Sequence, residues 1–368
     1  MAARLEIINS IEGFTAAQAQ WSALEHKVED LLPFQTYAWN RTWWEVFAED
    51  HSKRQDRLAI SVLRSDEEWL GVLPQFLSVY RRLGLDLFCY RRPFGADPNL
   101  TELRLPLALP DHLSTLMQAE LVRQKVDGAP CNISLLVAPE GVLTASSVEA
   151  GAGLLRHDLR NVPAYELDLA KDWETFRGGL KRNIKESLRH CYNSLKRAGL
   201  SHELVVLSQP QEILSLLPQF YRFHEDRAQQ SDTIKHPNYF AAEQHRTFIE
   251  TLAAGKHGDV GMRMLCLKID GKVVAMRLAY ELNKRLYLYF SGFDSEYGQF
   301  GVPTTLVAET IRWAIDRQLQ TVHLSIGTDV SKTRWGPRKV DYLETLMFQN
   351  VVYFNIWKLG SRMRTRID

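Results

Sequence analysis

Two glycines ahead of a helix-like segment could bind an anion in this sequence. Residues 297–305 read YGQFGVPTT, in which Gly298 and Gly301 precede Pro303, and helices accept proline in their first turn. Backbone N–H groups at a helix N-terminus point toward an anion, and the helix dipole adds to the attraction. The pattern is compatible with a phosphate site but by itself indicates one only weakly. Ordinary turn geometry is the alternative, because many strand–loop–helix joints contain two glycines.

A second group of polar residues follows the next strand. Residues 325–337 read SIGTDVSKTRWGP, and Lys332, Arg334 and Trp335 come shortly after a strand that ends at Gly327. A lysine, an arginine and a tryptophan at a strand end could grip a phosphate, a carboxylate or a sugar ring. The alternative interpretation is a solvated loop with one aromatic side chain folded down.

The strands and helices that must position these loops occur in two similar series. In the C-terminal half, residues 262–269, 273–280 and 285–293 read as strands, with a turn at Asp270-Gly271, and residues 303–318 as a helix. In the N-terminal half, residues 57–63, 69–80 and 85–90 read as strands, and Pro74 predicts a bulge or an edge. The series lie about 200 residues apart and share an order of elements rather than residue identity, which indicates a repeated architecture.

A basic helix is predicted between the two series. From Leu180 to Ala198 the apolar residues recur at helical spacing, and Gly199 is a natural end for the helix. A second stripe carries Lys181, Lys185 and Arg189. This stripe is either a solvated face or a surface that recognises an anionic acceptor.

Composition limits the class of protein. The 368-residue chain has a formal net charge of +1, which argues against whole-chain attraction to nucleic acid or an anionic membrane. Its cysteines show neither metal-ligand spacing nor a disulfide framework: Cys89, Cys131, Cys191 and Cys266. The N-terminal segment does not read as a signal peptide, and no stretch reaches the ~18 apolar residues of a membrane helix. We therefore expect a cytoplasmic protein without a bound metal.

The C-terminal segment 351–368 mixes aromatic residues with lysine and arginine. It could touch a membrane surface as a peripheral contact, or pack as a last helix. Packing is the favoured interpretation.

Several motifs together resemble the acetyltransferase domain of the CelD/BcsL group in the GNAT superfamily. They are FYRFHE at 220–225, IDGKVVA at 269–275, GFD at 292–294, GVPTTL at 301–306, and Gly327 with KTRWG at 332–336. The segments PFQTYAWNRTWWEVF at 33–47 and RNIK at 182–185 also look like that group. The group is similar to the tandem-GNAT Fem peptidyltransferases, which implies two GNAT-like halves with one working cleft.

The resemblance implies an α/β (α+β) fold with two tandem GNAT-like domains, each a mixed, mostly antiparallel twisted sheet flanked by helices. We place a degenerate N-terminal half at residues 1–170, the connecting basic helix at 171–200 and the acyltransferase domain at 201–368. The chain departs from the superfamily pattern in two places. Its phosphate loop has fewer glycines than usual, and His323 stands where the group tends to carry an aspartate.

The implied activity is transfer of an acyl group from acyl-CoA, acetyl-CoA or a longer thioester, to an amino group. The implied acceptor is a small-molecule or saccharide amine, an amino sugar of exopolysaccharide or cell-envelope assembly. The expected cofactor contacts are Ser291, Gly298, Gln299, Phe300, Gly301, Val302, Thr304 and Thr305. The expected substrate contacts are Lys332, Arg334, Trp335, Lys181, Lys185 and Arg189.

Direct attack by an amine needs a base and a donor to the thioester carbonyl. His323 is the first candidate base, because an imidazole titrates near neutral pH, and Glu225 is the second. A backbone N–H between residues 289 and 291 would polarise the carbonyl, and Tyr289 or Tyr297 could protonate the leaving thiolate. The alternatives are a structural histidine, a solvated glutamate and packed aromatic rings. No serine or cysteine nucleophile motif occurs, which agrees with direct attack.

Two rival functions remain open. A Fem-like transferase would take its acyl group from aminoacyl-tRNA, but the long helical coiled-coil arm usual in those enzymes has no counterpart in this sequence. A non-catalytic GNAT-fold protein would bind an anionic polymer in a salt-dependent way through the basic stripe. Under the enzyme interpretation we expect no nucleic acid partner.

Overall fold

The computed structural model describes residues 3–66, 68–96, 100–126, 132–142, 154–229 and 237–364. The residues divide into two compact units, the first comprising Met1–Val162 with Asp341–Asp368 and the second Pro163–Val340. Compactness alone does not show that a unit folds by itself, so the predicted domain boundaries stay predictions. Cys131 and residues 365–368, which entered the sequence analysis, lie outside the described ranges.

Helices are interspersed with runs of consecutive strands along the chain. The helices are α1 (Ile11–Ala16), α2 (Gln18–Glu25), α3 (Tyr37–Phe47), α4 (Leu113–Val126), α5 (Trp173–Gly179), α6 (Arg182–Arg197), α7 (Pro210–Gln229), α8 (Glu243–Ala253), α9 (Val302–Asp316), α10 (Val330–Thr333) and α11 (Val351–Arg364). The strands are β1 (Arg4–Ile8), β2 (Asp50–His51), β3 (Arg54–Leu58), β4 (Ile60–Ser65), β5 (Glu68–Leu73), β6 (Gln75–Arg82), β7 (Leu85–Pro93), β8 (Leu107–Ala108), β9 (Ile133–Pro139), β10 (Leu155–Asp168), β11 (His202–Leu207), β12 (Met262–Ile269), β13 (Lys272–Leu282), β14 (Arg285–Phe293), β15 (Thr321–Ile326) and β16 (Arg338–Phe348).

The first unit contains a four-stranded antiparallel sheet, ordered β1-β4-β5-β8, and strands ordered β16-β9-β7-β6-β3-β2. In the second group only β7 and β9 are parallel. The predicted strand over 69–80 is wrong as a single element, because the chain leaves one sheet at Leu73 and enters the other at Gln75. Pro74 lies at this break, and a residue without an N–H cannot donate to a ladder. The predicted strand over 57–63 is likewise divided between β3 and β4.

The second unit is built on strands ordered β11-β12-β13-β14-β15-β10, in which only β14 and β15 run parallel. The predicted turn at Asp270-Gly271 is confirmed, since φ is 45° at Asp270 and 81° at Gly271. The predicted basic helix is confirmed as α6, whose apolar stripe is buried at Ile184, Leu188, Cys191 and Leu195. Of these, Ile184, Leu188 and Leu195 belong to a core that also contains residues of α9 and the sheet.

The two units share one sequence of elements. Each unit has an antiparallel pair of strands, then a helix, then a strand that runs parallel to the second strand of the pair. These elements are β6, β7, α4 and β9 in the first unit and β13, β14, α9 and β15 in the second. The predicted mixed α/β class with mostly antiparallel sheets, repeated in two halves, is confirmed. In the first unit, aromatic side chains of α11 pack on Phe348 and its neighbours, as the favoured interpretation of the C-terminal segment required.

Candidate active site

The second unit has an opening between its two parallel strands. β14 and β15 pair at Arg285 with Thr321, at Leu286 with Val322, and at Tyr287 with His323. Within the described residues 285–326 this ladder ends there, although β14 continues to Phe293 and β15 to Ile326. Beyond Tyr287 the backbone edge of β14 on this side is therefore not occupied by β15.

A β-bulge lies in β14 beside this opening. Arg277 of β13 pairs with Ser291 and Ala279 pairs with Leu288, so two residues, Tyr289 and Phe290, oppose one on β13. Bulges bend a strand and redirect its side chains and backbone groups, and they are frequent next to active sites. Tyr289 is buried at this bulge, and its carbonyl oxygen accepts a hydrogen bond from Arg277 Nη1 at 3.1 Å.

Two arginines and a histidine converge on Ser291, a predicted cofactor contact. The Ser291 hydroxyl accepts hydrogen bonds from Arg227 Nη1 at 3.0 Å and from Arg277 Nη2 at 3.3 Å. Burial lowers the pKa of Arg227, an effect that the charge of Asp329 opposes. His224 Nδ1 lies 3.2 Å from the Ser291 carbonyl oxygen. Two guanidinium groups therefore lie at the bulged end of β14.

The sequence analysis missed Arg227, Arg277 and His224. A signal for Arg277 was present, because it is the one charged residue within VVAMRLAY, an otherwise apolar strand sequence. Charged residues are rarely buried without a partner or a purpose. Contact of α7 with β14 depends on Gly292, where an added Cβ would lie 2.6 Å from the backbone nitrogen of His224.

The predicted phosphate loop leads into α9. Gly301 has φ of 65°, its N–H donates to Gly298 O, and its own carbonyl accepts from the N–H groups of Thr304 and Thr305. An added Cβ at Gly301 would lie 2.5 Å from Cys191 Sγ, so this glycine also allows α6 to approach. Val302 and Thr305 are fully buried, and the Thr305 N–H already donates to Gly301 O, which argues against these two residues as ligand contacts.

Other predicted loop residues are more accessible. Gly298 and Gln299 are exposed, and Phe300 and Thr304 are half-buried. These residues stay predicted cofactor contacts. Tyr297 lies in the same loop, with Lys272 Nζ 4.8 Å from the centre of its ring.

The structure does not bring together the three residues that follow β15 and were predicted to bind substrate. Arg334 Nη2 donates to Thr304 Oγ1 at 2.8 Å, which places the guanidinium at the start of α9, and its buried Nε has no hydrogen-bond partner among the described residues. Lys332 Nζ contacts the Ile326 carbonyl and lies 3.6 Å from Asp329. Trp335 is only 3% exposed and packs in the core, which argues against this side chain as a ligand contact.

His323, the first candidate base, lies in a buried ion cluster. Its Nε2 is 3.8 Å from Glu166 Oε1, which also contacts Arg285 at 2.9 Å, and Glu166 Oε2 contacts Arg338. Its Nδ1 accepts a hydrogen bond from the Ser325 N–H at 3.0 Å, so the neutral ring carries its proton on Nε2.

The surroundings keep His323 neutral. Burial, with the charges of Arg285, Lys332 and Arg338, lowers its pKa from 6.5 to about 3. The nearby Glu166 carboxylate does not reverse this shift because two arginines already neutralise it. The reason for proposing His323 as the base, titration near neutral pH, therefore does not hold in this structure.

The remaining predicted residues lie on α6 and α7. Glu225 is exposed on α7, next in sequence to the buried His224. Lys181 precedes α6 and Arg189 lies along it, both exposed, whereas Lys185 Nζ donates to the Gly178 carbonyl at 2.7 Å. Burial raises the pKa of the Cys191 thiol, and raises that of Cys266 to about 12. Neither cysteine is a thiolate nucleophile at neutral pH.

Residues 182–333, which contain the opening, the bulge and α9, match the family described as acetyltransferase (GNAT) domain. This part of the chain has a GNAT-like fold. No curated protein sequence matches the chain. Among the described residues, no group of three or more His, Cys, Asp or Glu side chains could hold a metal ion. Of the helices in the described ranges, none is long and apolar enough to cross a membrane.

Solved structures support the same fold over nearly the whole chain. FemX is similar with a TM-score of 0.60 and 10% identity, over 93% of this chain and 97% of its own. A conserved protein of unknown function from Bacteroides thetaiotaomicron has a TM-score of 0.54 and 13% identity, over 94% and 100%. The C-terminal domain of an Agrobacterium fabrum protein described as a lysylphosphatidylglycerol synthetase has a TM-score of 0.52 and 13% identity, over 95% of this chain and 96% of its own. At these identities the similarity concerns the fold alone.

Proposed function

We propose that this GNAT-fold protein is an N-acyltransferase that moves an acyl group from acyl-CoA to an amine. The observation that carries the proposal is the opening between β14 and β15, next to a bulge and to the start of α9. An exposed strand edge can pair with an extended chain that carries amide groups. The pantetheine arm of CoA is such a chain, and β14 beyond Tyr287 is such an edge.

The start of α9 would hold the donor phosphates. The dipole of α9 favours an anion at this end, and Arg334, which donates to Thr304, adds a positive charge there. Burial lowers the pKa of Arg334, and a phosphate would offset the cost of keeping this cation away from water. We therefore assign Arg334 to binding of the acyl donor rather than of the acceptor substrate.

The reaction is a direct transfer. The amine nitrogen forms a bond to the thioester carbonyl carbon, the C–S bond breaks, and the CoA thiolate leaves and takes a proton. A backbone N–H at the bulge would stabilise the negative charge on the carbonyl oxygen. Glu225, exposed on α7, and His224, in contact with Ser291, are candidate bases for the ammonium proton. Tyr289, buried at the bulge, is a candidate proton donor to the thiolate.

The acceptor would carry negative charge as well as an amine. Arg227 and Arg277 stand at Ser291, where an acceptor must approach the bulge, and guanidinium groups suit phosphate and carboxylate. An amino sugar bearing a phosphate or a nucleotide has this combination. The resemblance to the CelD/BcsL group supports an acceptor from exopolysaccharide or cell-envelope assembly, and acyl-CoA as donor supports a cytoplasmic location.

The second candidate is a Fem-like transferase with aminoacyl-tRNA as donor. The exposed residues Lys181, just before α6, and Arg189, on α6, favour it, because a basic surface suits a nucleic acid backbone. In this second candidate the reacting ester of aminoacyl-tRNA would lie in the same opening between β14 and β15. The two candidates differ in the donor group that would lie at the start of α9. The identity of the donor therefore separates the two candidates.

Calorimetric titration with acetyl-CoA and longer acyl-CoAs tests the proposal, using Arg334→Met. Loss of a charge-assisted contact should weaken acyl-CoA binding about tenfold to hundredfold. The matched control is Arg317→Met at the opposite end of α9, where the arginine pairs with Glu281 and half of its side chain is exposed. A Gly301→Trp variant is unsuitable, because its side chain would collide with Cys191 whether or not a donor binds. Absence of binding to every acyl-CoA would refute the proposal, and binding of aminoacyl-tRNA instead would select the second candidate.

A further inference from the structure

The hairpin formed by β6 and β7 projects beyond its neighbours in the first unit. The two strands pair with each other as far as a two-residue turn, Leu83-Gly84. Among the described residues, the pairing of β3 with β6 reaches only Tyr80, and the pairing of β9 with β7 begins only at Tyr90. Residues 82–88, which we call the hairpin tip, therefore extend past the strands on both sides.

The leucines of the hairpin tip are exposed. Leu83, in the turn, is 95% exposed, and Leu85 and Leu87 on β7 are 68% and 58% exposed. Alternate residues of a strand point to the same face, so Leu85 and Leu87 lie side by side. Apolar side chains in water are unfavourable, and an exposed cluster of them commonly marks a contact with a partner or a membrane.

Leucine is also an unfavourable residue for the turn itself. Both turn residues have positive φ, 52° at Leu83 and 80° at Gly84, as in type I′ turns. Asparagine and aspartate accept such an angle at the first position, whereas a positive φ in a bulky residue is rare and strained. The exposed side chain of Leu83 contributes no burial that would offset this strain. Strain without a benefit to folding points to a role in function.

The second unit provides an internal comparison. Its equivalent hairpin, between β13 and β14, also has a two-residue turn with positive φ, but the residues are Asn283 and Lys284, at 43° and 60°. That turn does not project in the same way, because β15 pairs with β14 from Arg285 onward. The repeated architecture therefore forms this hairpin with polar turn residues, and it does not require a leucine there.

Arginines lie at the hairpin tip and directly behind it. Arg82 precedes the turn and is exposed. The acid of the tip, Asp86, is shared between Arg81 at 2.7 Å and Arg57 at 3.7 Å. Three arginines and one aspartate leave an excess of positive charge. Leucines at a tip with arginines behind them match the boundary of an anionic bilayer, where apolar side chains reach the acyl chains and guanidinium groups stay with the phosphates.

We propose that the hairpin tip is a docking surface for membranes that contain anionic phospholipids, with Leu83 among the acyl chains and Arg82 at the headgroup phosphates. A bilayer suits this surface better than a protein partner does, because three leucines offer less than the ~800 Å² that each partner of a specific protein interface buries. The surface shares no residue with the opening between β14 and β15. It therefore stands whether or not the protein transfers acyl groups.

Sedimentation of the full chain with phosphatidylcholine vesicles, with and without phosphatidylglycerol, tests the proposal. The unchanged protein should bind the vesicles that contain phosphatidylglycerol, and salt should weaken this binding. Leu83→Asn should bind about tenfold to hundredfold more weakly, because one leucine no longer enters the acyl region. Arg82→Gln should lose about fivefold on the anionic vesicles. The matched control is Leu159→Asn, at an exposed leucine of β10 in the same unit, which should bind like the unchanged protein.

Thermal unfolding distinguishes this role from a structural one. Leu83→Asn should melt at the same temperature as the unchanged protein or above it, because asparagine suits the positive φ of the turn. A lower melting temperature would overturn the proposal, since the leucine would then serve folding.

Three results of the vesicle experiment would also overturn the proposal. The first is that the unchanged protein does not bind anionic vesicles. The second is equal binding by Leu83→Asn, with loss of binding in Ile356→Asn placing the contact on α11, where Ile356 is 59% exposed. The third is dimerisation that depends on Leu83 in place of vesicle binding, which would assign the hairpin tip to a second copy of the chain.

Discussion

The buried carboxylate Glu166 allows a sharp test of the structure of the second unit. Its side chain is 4% exposed and contacts Arg285 at 2.9 Å, and the Arg285 side chain is 12% exposed. The change Glu166→Gln keeps the shape and removes the charge, which takes from the largely buried Arg285 guanidinium the carboxylate that contacts it at 2.9 Å. Breaking one side of a buried ion pair costs about 3–5 kcal/mol. We expect the lower part of this range, because Arg338, the second partner, is half-exposed and can turn to water.

The matched control is Asp168→Asn, two residues further along the same strand. Asp168 also pairs with Arg338, at 3.4 Å, but its side chain is 71% exposed. Exposed ion pairs contribute about 0–1 kcal/mol, so this change should have little effect. The two substitutions remove the same charge and share one partner, and they differ in burial.

Urea unfolding at neutral pH measures both changes as differences in the free energy of unfolding. A double variant, Glu166→Gln with Arg285→Met, should recover part of the loss, because the cation that lost its Glu166 carboxylate is then gone as well. Equal small losses for Glu166→Gln and Asp168→Asn would refute the reasoning. A double variant no more stable than Glu166→Gln alone would refute it as well.

Two further predictions concern pH and packing. The pKa of His323 is lowered from 6.5 to about 3, so below pH 6.5 the unfolded chain binds a proton that the folded chain does not, and stability falls as pH falls. This group adds at most about 1.4 kcal/mol per pH unit to the slope of the free energy of unfolding against pH. Urea unfolding between pH 7 and pH 4 should therefore give a shallower slope for His323→Gln than for the unchanged protein. Identical slopes would contradict the prediction. Gly292→Ala should destabilise the protein by about 1–3 kcal/mol, because its Cβ would overlap the backbone of α7 at His224. Gly298→Ala is the control, with its nearest neighbour 3.9 Å away at Phe293, and thermal unfolding that shows equal losses would be the contrary result.

Features that depend on neighbours along the chain could be predicted from the sequence. The turn at Asp270-Gly271 follows from two residues that accept positive φ, and α6 follows from the spacing of its apolar residues. The start of α9 near Pro303 follows from the fixed φ of proline. The mixed α/β class and its repetition follow from the order of these elements. In each case the determining interactions span a few residues, so the sequence contains them directly.

Other features depend on residues distant in sequence, and only the tertiary structure decided them. Arg334 is separated by a helix and a strand from Thr304, yet the fold joins their side chains. His323 loses its titration near neutral pH because burial and the arginines that bind Glu166 surround it. Solvation and charge at each site are set by which segments meet there, and local sequence patterns do not encode those meetings.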